Sequence, residues 1–474
     1  MKKGRLYERQ EIEVIAKSAI GKSVNDILKE DLITVTDDNA SNKGGLGLLI
    51  EKYLYGIDAN SDSEPDFMPA GIELKVTPYK KLKSGKLSAK ERLVLNTINY
   101  IESSKEKSFY ESHFWFKNNT IQLIWYLWKK GKDKKDLKIT HEMLLELIHS
   151  EDLNQIEQDW KYINKKIKNG KAHELSEADT MFLGACTKGT NSKQKRPQPN
   201  GPDAMPRAFC FKTSYMTQLV RKYIGSYDDV EKILEGTNLL FMDYIDNVLK
   251  DYVGMSQEEL LKMFNIKKNQ KDKNSVIINK IFNVKKGLKN TAEFLKANII
   301  PKAILINKNG KIKESISFPS FKFKNIIEQN WEDSDLKEEL ETTKYLFFIF
   351  EEEKNNTFFK GYKLWNMPQT IIDSVIKECW EKTVNKIKCG VNFKIKNTSN
   401  GPIVENDLPG LSDNGIIHVR PHTSKSAYKL KNGFSKGNIK KHADELPDGQ
   451  FMTKQSFWFN NTYIKKVLFD EVGD

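Results

Sequence analysis

The feature that most constrains this chain is that it repeats itself. DWKYINKKIKNG at 159–170 and CWEKTVNKIKCG at 379–390 place a tryptophan and a glycine at the same separation. Ile156, Trp160, Ile163 and Ile167 in the first copy fall three and four residues apart, as do Ile376, Trp380, Val384 and Ile387 in the second. That spacing predicts two amphipathic helices, each closed by a glycine, Gly170 and Gly390. Trp160 is expected to pack in the core. After each helix comes an apolar stretch running into a basic loop, at 181–189 and 416–423. An aromatic strand and a terminal helix follow, in RAFCFKTSYMTQLVRKY and QSFWFNNTYIKKVLF. Upstream, the apolar run at 121–128 has a counterpart at 345–350. One matching fragment arises easily by chance, whereas four in the same order predict a duplication. At 474 residues the chain exceeds one ordinary core. The expected division is a first domain at 1–225, a helical connector at 226–297 and a second domain at 298–474. Each domain is expected to be α/β, with a mixed sheet flanked by helices.

The two copies differ in chemistry. The first contains SEPDFMPAGIELKVTP at 63–78, in which 72–77 alternates strictly between apolar and polar residues. Ile72, Leu74 and Val76 belong to one face of a strand, and Glu73, Lys75 and Thr77 to the other. Pro69, Gly71 and Pro78 bracket it as turn and stop signals. Glu-x-Lys on a strand is commonly just a solvated face. Here a second carboxylate, Asp66, precedes it at a spacing that suits two oxygen ligands for a hard cation, with a lysine beside the attacking water. Upstream, KGGLG at 43–47 leads into a helix with Ser41 and Asn42 as candidate caps. It lacks the spacing of a phosphate-binding loop and follows no apolar strand, so no nucleotide cofactor is expected. Small residues there predict close packing of the helix on the metal strand. Glu51 on this helix is either an ordinary exposed glutamate or a third acid near the cation.

KGGLGLLIE, EPDF and AGIELK, taken in this order, resemble the mismatch-repair strand-nicking endonuclease family MutH. The likeness is closer to the MutH-related type II restriction endonucleases that cut at GATC. It continues through PYKKLKSGKLSAKERLVLNTINY, through 158–189 and 207–223, and resumes at HVRPHT and MTKQSFWFNNTYIKK, with a poorly matched middle. The resemblance implies a DNA endonuclease with a restriction-endonuclease-like α/β core and Mg²⁺ as cofactor. It makes Asp66, Glu73 and Lys75 the catalytic set, Glu51 an accessory acid and Lys117 a further lysine of the site. It also implies that the loop 188–207 enters the major groove, with Lys188 as the leading DNA contact and Arg207 and Lys212 as weaker candidates. GATC as the recognised sequence rests on the resemblance alone.

Lys and Arg number 77 against 64 acids, a formal charge of +13, which suits a polyanionic partner. The metal motif favours double-stranded DNA over an anionic membrane. In the second copy, basic residues crowd 418–442, and Arg420, His422 and Lys454 are the expected DNA contacts. His418 and His422 have no third ligand at suitable spacing for zinc. The stretch from Asn309 to Phe350, including 315–323, offers no counterpart of Asp66, Glu73 and Lys75. The second domain is therefore expected to bind DNA without cutting it, as an effector or a dimerisation module. A palindromic site and one catalytic cluster per chain call for a dimer on DNA, a looped two-site complex or successive nicks. No stretch is long enough to span a bilayer, and no signal peptide is apparent at the N-terminus. Cys186, Cys210, Cys379 and Cys389 form no Cys-x-x-Cys, so reduced thiols in a cytoplasm are expected. The alternatives are a repair-type GATC nicking enzyme, disfavoured by the extra half, and a silent DNA-binding protein, disfavoured by the intact acid–lysine set.

Overall fold

The computed structural model describes residues 6–30, 45–57, 63–82, 84–188, 194–225, 230–312, 316–399 and 401–469. The expected caps Ser41 and Asn42, the start of KGGLG, Gly189 and Ser315 lie outside them. The chain forms two compact units, 1–245 with 286–299, and 246–285 with 300–474.

In the first unit, α1 (Arg9–Ser18), α2 (Val24–Glu30) and α3 (Gly45–Leu54) precede the strand β1 (Glu73–Lys81). There follow β2 (Leu87–Ala89), β3 (Leu93–Thr97), α4 (Tyr100–Ser103), α5 (His113–Asn118), β4 (Thr120–Leu127) and β5 (Ile139–Glu146). Then come α6 (Leu153–Lys168), β6 (Leu183–Thr187), β7 (Arg207–Phe211) and α7 (Thr213–Tyr223). One sheet is mixed, in the order β2-β1-β4-β5, with β1 parallel to β4 and the other pairs antiparallel. A second sheet, β3-β7-β6, is antiparallel. The apolar run expected at 121–128 is thus the central strand β4, buried along nearly its whole length.

Ile12 and Ala16 on α1, and Ala19 at its C-terminal end, are fully buried. Leu46, Leu49 and Ile50 on α3 pack with Ile72 and Leu74. Burying each such side chain contributes about 1.5–3 kcal/mol. Close packing does not require Gly47, since a β-carbon there would meet nothing within 4 Å. β1 runs through Pro78, which had been expected to stop it. The Pro78 carbonyl accepts from Lys90 N–H, so its missing donor faces β2 just before that ladder begins at Tyr79.

The stretch 226–297, expected to be a connector, is divided between the units. Residues 230–245 and 286–297 belong to the first, and 246–285 to the second. The return segment completes the first unit through Lys296, on the helix Ala292–Ala297. Lys296 Nζ pairs with both oxygens of Asp152 at 2.7 and 2.9 Å and with Glu151 at 3.3 Å. Burial works against the Glu151 charge, but Lys296, Lys222 and Lys232 hold its pKa down to about 2.

In the second unit, β8 (Ile299–Ile306) lies beside β9 (Lys344–Glu353), which pairs antiparallel with β10 (Asn356–Trp365). The helix Lys377–Cys389 buries Trp380, Val384 and Ile387 and ends at Gly390, whose φ is +106°. A hairpin follows, β11 (Phe393–Thr398) with β12 (Gly401–Asn406). β13 (Ile417–Pro421) then pairs antiparallel with the strand Gln455–Phe459, which precedes a last helix, Asn461–Leu468. Ile316–Phe318 runs along the other edge of Gln455–Phe459, with Phe318 N–H donating to Phe457 O and Phe459 N–H to Ile316 O. By neighbour relations, Ile316–Phe318 therefore takes the place that β3 has beside β7, and β8 the place that β1 has beside β4. The strand to compare with β1 is IIPKAILI at 299–306, upstream of Asn309. It holds no acid.

Candidate active site

The spacing of Asp66 and Glu73 becomes a geometry once the intervening loop closes. Phe67 N–H donates to Ile72 O at 2.9 Å and Ile72 N–H to Phe67 O at 3.3 Å. Between them Met68–Ala70 makes one 3₁₀ turn, and Gly71 takes a left-handed conformation, φ +64° and ψ +33°, suited to glycine. Phe67 anchors the loop by packing edge-on against Tyr7 and Tyr55. The next pair outward from Phe67 and Ile72 is Asp66 and Glu73, so six intervening residues bring two carboxyl groups to one place. Asp66 N–H donates to Glu73 Oε2 at 3.3 Å, and Asp66 Oδ2 accepts from Leu74 N–H at 2.9 Å.

Glu73 is 2% exposed at the start of β1. Lys75, two residues on and on the same face, pairs with Glu73 Oε1. Lys117 Nζ, from α5, lies 3.7 Å from Oε2 and donates to the Glu64 carbonyl at 2.8 Å. Burial raises the Glu73 pKa, with Lys75 opposing it and Asp66 adding to it. Glu51, half-buried on α3, belongs to the same field. Burial and then the Asp66 charge push its pKa up to about 7, against the pull of Lys75 and Lys117. The structure thus brings together Asp66, Glu73, Lys75, Lys117 and Glu51. His113, which the sequence did not single out, joins them from α5: its Nε2 lies 2.7 Å from the Ser63 carbonyl.

The donor set fits a hard divalent cation. It is all carboxylate oxygen, and burial, with the neighbouring Asp66 charge adding to it, raises Glu51 and Glu73. Among the described residues no three His, Cys, Asp or Glu side chains converge as a ready-made ligand group. At Glu73 the charge is met by the ammoniums of Lys75 and Lys117.

The expected DNA contacts separate into two kinds. Lys188 is exposed at the end of β6. Arg207 and Lys212 are corrected: they are 3% and 1% exposed and brace the core. Arg207 Nη1 donates to Ala185 O at 2.6 Å, and Lys212 Nζ donates to Thr180 O. Burial pulls the Lys212 pKa down, with Asp159 opposing it. The described part of the loop, 194–206, is pinned to the core. Gln198 Oε1 accepts from Ala172 N–H at 2.7 Å, and a β-carbon on Gly170 would lie 2.3 Å from Asn200 O.

In the second unit, Arg420 and His422 are exposed near the end of β13. The Arg420 guanidinium lies 4.4 Å from the centroid of the Trp458 ring, and His422 meets the same ring edge-on at 5.3 Å. Lys454 is fixed alongside, its carbonyl accepting from His422 N–H at 2.9 Å and its Nζ donating to Lys441 O at 2.7 Å. The Trp458 face offers the exposed Arg420 guanidinium a cation–π contact.

Glu73 and Lys75 on one strand of a mixed sheet, with Asp66 set beside them by the preceding loop, suit a nuclease of the restriction-endonuclease class. Residues 55–159 match the family described as DNA mismatch repair enzyme MutH. MutH proteins from Shewanella woodyi and Shewanella sp. (strain MR-7) are 28% and 27% identical, covering 39% and 44% of this chain and 79% and 93% of their own. The type II restriction enzyme Sau3AI of Staphylococcus aureus is 37% identical over 98% of both chains. The chain belongs to this family of MutH-related type II restriction enzymes, site-specific deoxyribonucleases. Among the described residues, no helix is long and apolar enough to cross a membrane.

Proposed function

We propose that the chain cuts both strands of duplex DNA at GATC in a Mg²⁺-dependent reaction at Asp66, Glu73, Lys75 and Lys117, with Glu51 as accessory acid. The observation that carries this reading is the closed Phe67–Ile72 loop, which sets Asp66 beside Glu73 with Lys75 on the Glu73 carboxylate. Asp66 and Glu73, with Glu51, would hold Mg²⁺, which when bound polarises the scissile phosphate and acidifies a water. Lys75, its ammonium held on Glu73, orients the attacking water, whose proton passes to solvent. Lys117 offsets the negative charge that grows on the phosphate. The P–O3′ bond breaks, leaving a 5′-phosphate and a 3′-hydroxyl. Glu73→Ala and Asp66→Ala should each abolish cutting of a GATC duplex and leave its binding intact. Cutting at the wild-type rate by both would sink the assignment.

The second unit reads as a silent copy of the first that binds a second GATC site as effector, on a dimer or a looped complex. Its support is the shared order of strand neighbours, the acid-free β8, and the stacked Arg420 with His422 and Lys454 beside it. In the first unit Lys188 is the DNA contact that this reading keeps.

A further inference from the structure

We propose that His113 is a positioning residue for the carboxylate of Asp66, acting through the backbone at Ser63. The proposal rests on the reading of Asp66 as a metal ligand.

The geometry is a directed hydrogen-bond chain. Asn118, fully buried at the end of α5, donates from Nδ2 to the Phe114 carbonyl at 2.9 Å. A carbonyl only accepts, so this contact fixes which way the Asn118 amide points. The same Nδ2 donates to Asn96 Oδ1 at 2.8 Å, which turns the Asn96 Nδ2 towards His113. Asn96 Nδ2 lies 3.2 Å from His113 Nδ1, so that ring nitrogen must be the acceptor. Its partner Nε2 then carries the hydrogen and donates to the Ser63 carbonyl at 2.7 Å. The chain of donors thus selects the neutral Nε2–H tautomer and aims it at one backbone oxygen. From the other end of the ring's residue, His113 N–H donates to Glu106 Oε1 at 2.8 Å, tying the first turn of α5 down.

One turn along α5, Lys117 makes the matching bond to Glu64 O. His113 and Lys117 share a helix face. Together they hold two successive carbonyls of the exposed segment that delivers Asp66 three residues later. Lys117 also answers to Glu73, so it has a second task, whereas among the described residues the polar contacts of the His113 ring are Ser63 and Asn96. Its ring therefore acts on the site only through where it holds this strand of backbone. Partners bonded directly to a ligand are worth about 10–100-fold in metal affinity, and one acting through the backbone falls at the low end.

The test uses the full chain, free of metal and DNA, with Mn²⁺ as probe and the free ion followed by electron paramagnetic resonance. Binding of a GATC duplex without metal and the melting temperature are read in parallel. Gln places its amide nitrogen near the Nε2 position, and Asn places its own near Nδ1. His113→Ala and His113→Asn should weaken Mn²⁺ binding about tenfold. His113→Gln should restore it to within about threefold, and duplex binding should stay at the wild-type level in all three. Wild-type Mn²⁺ affinity in His113→Ala would overturn the proposal. So would an equal loss in Ala, Asn and Gln that tracks a falling melting temperature, which is the mark of a role in folding alone. A wild-type chain that binds no Mn²⁺ would instead overturn the metal reading itself.

Discussion

Lys117 Nζ stands 3.7 Å from Glu73 Oε2, the oxygen that Lys75 leaves open. One buried carboxylate is thus matched by two ammoniums from different elements, β1 and α5. The pairing keeps Glu73 ionisable in a place where burial disfavours its charge. It also ties the strand carrying the acid to the helix that holds the Asp66 segment.

Glu51 has its pKa raised to about 7 by burial and by Asp66. A carboxyl raised in the folded state binds more protons there than in the unfolded chain between its ordinary value and about 7. Its contribution to stability is present at low pH and is lost as pH rises through that window. The melting temperature of the metal-free protein should therefore fall more between about pH 5 and about pH 8 in wild type than in Glu51→Gln. Calorimetry of both proteins measures the difference, and identical pH slopes would contradict the placement of Glu51.

Lys296 neutralises Asp152, which is buried at the start of α6. Lys296→Met should destabilise the first unit by about 3–5 kcal/mol, because a buried carboxylate loses its partner. Denaturant titration of the full chain would show it as a lowered midpoint. For the same reason a chain ending near 225 should fold poorly, since 286–299 would no longer complete the unit. A stable, cooperative 1–225 fragment would contradict this.

Arg420 and Lys454 are proposed to meet DNA phosphate or base edges from the second unit. Replacing both with alanine should weaken binding of an added GATC duplex and flatten its salt dependence by about one unit per lost phosphate contact. The wild type should cut two-site DNA faster than one-site DNA, and a short uncleaved duplex in trans should rescue the slow substrate. The double variant should lose that stimulation. Equal rates on both substrates, unmoved by the added duplex, would leave the unit a dimerisation module.

What could be read from the sequence was local periodicity. The alternation at 72–77 and the three-and-four spacing around Trp160 and Trp380 survive folding because each depends on residues a turn or a strand apart. Asp66 and Glu73 were visible together because their loop is closed by its own backbone. Arg207 and Lys212 misled because their acceptors, Ala185 O and Thr180 O, come from other segments, and charge alone suggested exposure. Lys296 and Asp152 lie 144 residues apart, and His113 acts through a backbone oxygen 50 residues away. No residue pattern announces either contact. That β8 lies beside β9 is a tertiary pairing that no local pattern announces.

The most direct test of the central claim is to incubate the full-length protein with Mg²⁺ and a plasmid carrying GATC sites, and to map every DNA end. Discrete double-strand ends at each GATC, bearing 5′-phosphates and absent with Glu73→Ala, are the expected result. Nicks alone, ends at other sequences, or an undiminished ladder from Glu73→Ala would contradict it.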